Sequence, residues 1–334
     1  MKNPPEVMLG GVYGDGAPVI VNGEVDPKVL AAFARRDILI AYPPGANPGG
    51  RKALDAISQA GVMLVAKVTL SHLWDDRDAT HLTGAINVAA EGRNALIYVA
   101  DPKPRLKVNL NAPGMVEDIV RLIRLHVITP ALLGDGLPWK GIHIEGDHSP
   151  ELWARLYGAI PLDWILWWNG GSPEITDWVN RPMCDTMDEN WPFQNAPAGS
   201  GMQGAFARRL DWYQRGIYSF PLIFTGTSAV YSWNHPINRQ RYDYGAACAW
   251  MFRGGHIFAG YEPNDVPWWQ WDVPHYDLGP QIGEPKQEHG AWRQDGEGSS
   301  AIIDPTYPAN VGNPVARGRA WLTASLKKSF PAPT

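Results

Sequence analysis

The chain has 334 residues, 45% hydrophobic and 19% charged, with 29 Lys and Arg against 34 Asp and Glu for a formal charge of −5. That balance excludes a disordered chain, and without a long run of either sign there is no electrostatic case for nucleic acid or a membrane surface as partner. Two cysteines, Cys184 and Cys248, are too few for a disulfide framework and lack zinc-site spacing.

The N-terminus, MKNPPEVMLGGVYGDG, has no charged stretch followed by an apolar one, and no segment approaches 18 uninterrupted apolar residues. A soluble protein without an export signal is expected, in a compartment the sequence does not assign.

In chain order, β-rich runs bounded by Gly, Pro, Asn or Asp predict strands over 7–14, 37–43, 62–70, 140–147, 163–171, 184–191, 221–228 and 256–263. Helical patterns fall between most of them, at 26–36, 49–60, 113–128, 149–159, 172–180, 204–216 and 239–255. In DHSPELW, Ser149 can cap, Pro150 suits the first turn and Glu151 meets the positive helix end. Residues 71–112 and 264–290 read as irregular, and the turn-rich DGEGSS predicts a hairpin in the tail. Eight strands alternating with helices predict an α/β fold, a (β/α)8 barrel with a C-terminal β-hairpin extension. The expected division is a barrel over 1–285 and a hairpin and tail over 286–334 packed on it. A doubly wound open sheet is the alternative, but its Gly-rich phosphate fingerprint is absent.

Barrel chemistry gathers at the C-terminal strand ends. Those ends bring Tyr13 and Asp15, Tyr42, Lys67, Glu145 and Asp147, Trp168 and Asn169, Asp188 and Glu189, Thr225 and Thr227, and Tyr261 and Glu262. A period of two sets His143, Glu145 and Asp147 on one side of their strand and Ile142 and Ile144 on the other. Glu189 shares its side with Met187. Two inward carboxylates two strands apart suit glycosidic cleavage, which needs a protonated acid and an ionised nucleophile or base. The competing reading is structural: a lone acid at a strand end serves as a cap or an ion-pair member, and Asp147 is close to the Ser149 cap. A metal site is a further reading, since HIEGDH offers His143, Glu145, Asp147 and His148, with His72 and His256 elsewhere. Lys67 could orient a substrate hydroxyl or form a Schiff base, while its plain reading is an ion pair with Glu145. No metal or other cofactor is expected.

The chain carries 16 Trp and 12 Tyr but only 8 Phe. Flat amphipathic rings suit sugar faces as well as packing. Trp168 shares a side with Leu166 and Trp164, and Trp167 with Ile165, so the spacing leaves open which of them faces inward. Trp191 and the VPWWQWDVPHY cluster, Trp268 foremost, are candidate platforms for a carbohydrate. The predicted binding set is Tyr13, Tyr42, Lys67, Trp168, Asn169, Trp191, Tyr261, Glu262 and Trp268.

Several segments, in order, resemble the glycoside hydrolase-like TIM-barrel families related to polygalactosaminidase-type barrels. NPGGRKALDAISQAGVMLVAKV resembles their helix leading into the third strand, WKGIHIEGD a strand ending in an acid, and CDTMDENW a later acid-bearing strand. GHIFAGYEP resembles their last strand, and YDLGPQIGEP with WRQDGEGSSAIIDPT their closing loop and hairpin. The resemblance spans about residues 37–306. It implies a TIM barrel cleaving a glycosidic bond in an oligo- or polysaccharide, with Glu145 as nucleophile or base and Glu189 as proton donor. Glu145 stands where the families have Asp, so Asp147 could be the working acid. A non-catalytic carbohydrate-binding barrel and a metal-dependent hydrolase remain as alternatives.

Overall fold

A computed structural model describes residues 6–9, 19–45, 47–71, 73, 76–99, 105–146, 149–169, 183–184, 187–190, 206, 210–211, 213–214, 222–226, 236–259, 276–305 and 319–326. The chain divides into two compact units, one of Leu9–Ala34 with Ile38–Asp185, the other of Met1–Met8 and Arg35–Asp37 with Thr186–Thr334. Strand β1 (Glu6–Leu9) opens the chain.

The Glu145-bearing unit begins with a small ribbon, β2 (Ile20–Val21) and β3 (Glu24–Val25), and helix α1 (Pro27–Phe33), capped by Asp26 accepting from the Lys28 and Val29 amides. Then come β4 (Ile38–Ala41), α2 (Pro48–Gln59) and β5 (Met63–Thr69). The predicted irregular stretch instead holds α3 (Leu82–Gly92) and a ribbon of β6 (Leu96–Val99) with β7 (Arg105–Val108). α3 escapes a periodicity reading for two reasons. It is buried along most of its length, so it shows no polar stripe, and Gly84 and Gly92 lower its helical signal.

α4 (Met115–Ile123) passes into a π-helical turn, Arg124–Ile128, and then α5 (Thr129–Leu133), where one unbroken helix to 128 is predicted. Pro130 has no N–H and its ring crowds the preceding turn, so the widened turn before it keeps the chain helical. β8 (Trp139–Glu145) follows, then α6 (Pro150–Ala159), in which Ser149 accepts from the Leu152 amide with Pro150 in the first turn, as its sequence predicts. β9 (Ile165–Asn169) and β10 (Met183–Cys184) complete this unit. Its strands are all parallel in the order β10-β9-β8-β5-β4. β4, buried throughout, reads as the continuous apolar run ILIA, as a strand covered on both faces must.

The other unit continues with β11 (Met187–Asn190), β12 (Leu222–Gly226), α7 (Pro236–Met251) and β13 (Gly255–Ala259). Its parallel order is β1-β13-β12-β11. The single strand expected over 184–191 is thus two, β10 pairing with β9 and β11 with β12. β14 (Tyr276–Asp277) precedes a four-stranded antiparallel sheet of β15 (Gln281–Glu288), β16 (Ala291–Gly296), β17 (Ser299–Asp304) and β18 (Arg319–Thr323), and β19 (Ser325–Leu326) pairs back to β14. β16 and β17 join across Glu297 and Gly298, inside the DGEGSS turn. One face of this sheet buries Ala301, Ile303 and Ala320 in a cluster with Ala247, Trp250 and Met251 of α7.

Parallel strands alternating with helices agree with the predicted architecture. Among the described residues neither parallel run closes on itself, so closure of the barrel is not part of what is observed.

Candidate active site around Glu145

The site is set by register. β5 and β8 pair Leu64 with Trp139 but Ala66 with Ile142, so β8 carries one extra residue. A bulge of this kind flips which side chains share a face. Beyond it, Lys67 lies beside His143 and Thr69 beside Glu145. On the other flank, His143 is level with Trp167 and Glu145 with Asn169. Lys67, Thr69, His143, Glu145 and Trp167 therefore share one side of the sheet, and Ile142, Ile144, Leu166 and Trp168 the other.

Two glycines permit this geometry. A Cβ at Gly141 would lie 2.8 Å from the Ile165 carbonyl oxygen, so β8 and β9 approach closely only without one. Gly146 adopts φ +154°, and a Cβ there would lie 2.8 Å from that of Leu70. The Leu70 amide donates to the Glu145 carbonyl at 2.6 Å, fixing the strand end that presents the carboxylate.

Lys67 Nζ donates to Glu145 Oε2 at 2.7 Å, with both side chains largely buried at 14% and 21% exposure. Thr69 Oγ1 lies 3.5 Å from the same oxygen and 2.8 Å from the Tyr42 hydroxyl. The ammonium also sits 5.2 Å from the centre of the Tyr42 ring. Burial works against the Lys67 charge, but the Tyr42 oxygen and the Glu145 carboxylate outweigh it and raise its pKa above the ordinary lysine value. That direction favours the ammonium, the form that pairs with Glu145, over the neutral amine a Schiff base needs. The ion pair is the plain reading of Lys67.

His143 lies below this pair, 1% exposed, with no hydrogen-bond partner for either ring nitrogen among the described residues. Burial chiefly, then the neighbouring Lys67 charge, pushes its pKa down to about 3, against a smaller opposing pull from Glu145. It is a neutral imidazole at neutral pH.

The register also sorts the tryptophans of β9, and Trp168 lies away from the carboxylate. It is 1% exposed on the side away from Glu145, its ring centre 5.6 Å from that of Trp153 in α6, and its indole N–H donates to the Gly146 carbonyl at 3.1 Å. It packs the helical layer, because the His143–Trp167 register turns Trp167 to the carboxylate side. Tyr42 and Lys67 do gather at Glu145. Glu189 is on β11 of the other unit, level with Phe224. Asn169 is level with Glu145 through the backbone. Tyr13, Asp147, Trp191, Tyr261, Glu262 and Trp268 lie outside the described residues, as does His148. Thr69, outside the predicted set, sits one pleat beyond Lys67, where the period of two places it on the same side.

Among the described residues no group of three or more His, Cys, Asp or Glu could hold a metal ion, and no helix is long and apolar enough to cross a membrane.

No family model matches the chain, and no curated protein does. Similar solved structures include an alpha-amylase from Geobacillus thermoleovorans complexed with acarbose, at 10% identity and a TM-score of 0.44 over 90% of this chain and 86% of that one. An alpha-amylase from Lactobacillus plantarum is similar at 10% identity and 0.47, over 96% and 98%. A debranching enzyme from Nostoc punctiforme is similar at 9% identity and 0.48, over 91% and 88%. At these identities and TM-scores the solved structures say nothing of this chain's chemistry.

Proposed function

We propose that the chain is a glycoside hydrolase in which Glu145 is the ionised carboxylate, acting as nucleophile or base. The observation that carries the reading is the ion pair at adjacent parallel strand ends, Lys67 Nζ on Glu145 Oε2 at 2.7 Å, joined through Thr69 to Tyr42. An ammonium on a carboxylate stabilises its charged form, the state a nucleophile or base needs and a proton donor must avoid. Such groups at the C-terminal ends of parallel strands stand where barrel enzymes keep their chemistry.

Glu189, near the end of a parallel strand, is proposed as the proton donor, with Asp147 the substitute for Glu145 should the acid lie one pleat outward. The substrate is proposed to be an oligo- or polysaccharide, gripped in part by aromatic side chains including Trp191 and Trp268. The opposing view makes the Lys67–Glu145 pair a structural ion pair and nothing more.

The test is hydrolysis of a panel of aryl glycosides and polysaccharides, followed by release of reducing ends. Glu145→Gln is expected to abolish turnover of both activated and unactivated substrates. Glu189→Gln is expected to spare activated aryl glycosides, whose leaving groups need little protonation. The anomer first released separates retention from inversion. Binding without new reducing ends on any glycan would replace this reading with a non-catalytic carbohydrate-binding protein.

A further inference from the structure

The antiparallel sheet of the second unit has one face in the core and one in solvent. Trp292, Ile303 and Ala320 are level with one another across β16, β17 and β18, and they belong to or pack on the α7 cluster. The opposite face carries two parallel rows. One runs Arg293, Ile302, Trp321, and the other Asp295, Ser300, Thr323, each row in register across the same three strands.

Alternation alone would fill a solvent face with polar groups, and the second row obeys it across β16, β17 and β18, with the exposed Ile282 beyond Asp295 on β15. The first row departs from it. Trp321 is 38% exposed beside Ile302, a partly exposed aliphatic, so a flat apolar strip borders a line of hydroxyls. Arg293 Nε donates to Asp295 Oδ1 at 2.8 Å, tying the two rows together at one end and balancing the charge there. Lys286 continues the first row on β15, at the end far from Trp321. With strands about 4.8 Å apart, Trp321 and Arg293 stand roughly 10 Å from each other, a span that a short oligosaccharide bridges.

We propose that this face binds a neutral carbohydrate, a second sugar site independent of Glu145. An apolar strip with hydroxyls along its edge mirrors a pyranose, which has apolar C–H faces and a polar rim. Trp321 stacks on a ring face, Ser300 and Thr323 exchange hydrogen bonds with hydroxyls, and the Arg293–Asp295 pair offers a donor and an acceptor to the next residue along. The self-neutralised ion pair suits a neutral glycan, since a polyanion gains little from a guanidinium already paired.

The experiment uses the full chain carrying Glu145→Gln, run in native gels containing soluble starch, galactomannan or xylan, with polygalacturonate as an anionic control. At least one neutral polysaccharide is expected to retard it. Trp321→Ala is expected to weaken that retardation roughly tenfold, while Trp321→Tyr, which keeps a ring, preserves most of it. Should Trp321→Ala melt early, Ser300→Glu, on the solvent row, serves as a second blocking variant. No retardation by any neutral polysaccharide, equal retardation of the parent and both blocking variants, or retardation by polygalacturonate alone overturns the proposal. The gel reads binding without turnover, so its result stands apart from that of the hydrolysis panel.

Discussion

The Lys67 ammonium and the Glu145 carboxylate are joined at 2.7 Å across two neighbouring parallel strands, in register only because β8 carries one extra residue. Both side chains are largely buried. Removing two charges from water costs several kcal/mol per ion, and contact between them returns that only with good geometry and further hydrogen bonds. Here Thr69 and Tyr42 extend the network on both sides.

Deleting one member should therefore be worse than deleting both. Lys67→Met leaves Glu145 largely buried without its counter-ion and is expected to cost about 2–4 kcal/mol in urea unfolding. Lys67→Met with Glu145→Gln is expected to recover part of that loss, a coupling read from the double-mutant cycle. Additive single effects would mean that the two groups do not depend on each other.

The pH dependence of stability isolates His143. An unfolded histidine takes a proton near pH 6.5, whereas the buried one resists until about pH 3. Between those values the unfolded chain binds more protons, so stability falls as pH drops through the window and is fully present above it. By pH 4 the loss is on the order of 3 kcal/mol. His143→Leu removes this contribution, so the variant should lose less stability than the parent between pH 7 and pH 4 in parallel urea titrations. Equal losses would mean that His143 accepts its proton in the folded state.

Trp168 tests the division of the β9 tryptophans between the two sheet sides. Trp168→Phe keeps a ring against Trp153 but loses the donor to the Gly146 carbonyl. It is expected to cost about 1–2 kcal/mol of stability and to leave KM for an aryl glycoside unchanged. A raised KM at unchanged melting temperature would return Trp168 to the substrate.

Much of this site was legible because strand chemistry has a short period. The alternation His143, Glu145 against Ile142, Ile144 follows from a period of two, and the Lys67–Glu145 pair follows from two charged residues entering buried strands. Sequence alternation stops at the edge of each strand, however. Which side of β9 faces Glu145 depends on register with β8, a relation between distant segments, and so the three tryptophans at 164, 167 and 168 could not be sorted beforehand. β10 and β11, which share the stretch from Met183 to Asn190, read as one strand in sequence for the same reason, since only their different partners separate them. α3 is silent in sequence because a helix surrounded by protein has no polar stripe to betray its period.

Gly146 offers the sharpest probe of how the carboxylate is held, since it follows Glu145 directly. Its φ of +154° lies where side chains are rarely found, and a Cβ would approach the Leu70 Cβ to 2.8 Å. Gly146→Ala thus meets two obstacles, backbone strain of about 1–3 kcal/mol and a steric contact. The strand end must shift, and it is pinned from one side by the Leu70 amide on the Glu145 carbonyl and from the other by the Trp168 indole on the Gly146 carbonyl. The expected outcome is a lower melting temperature together with a fall in kcat larger than any rise in KM, because the carboxylate loses alignment while the rest of the substrate is still gripped. Leu70→Gly added to Gly146→Ala removes the opposing Cβ but leaves the dihedral strain, so it should restore kcat only in part. Full restoration would place the whole effect in the contact with Leu70. An unchanged kcat in Gly146→Ala, with stability lowered as expected, would mean that the position of the Glu145 carboxylate does not govern turnover.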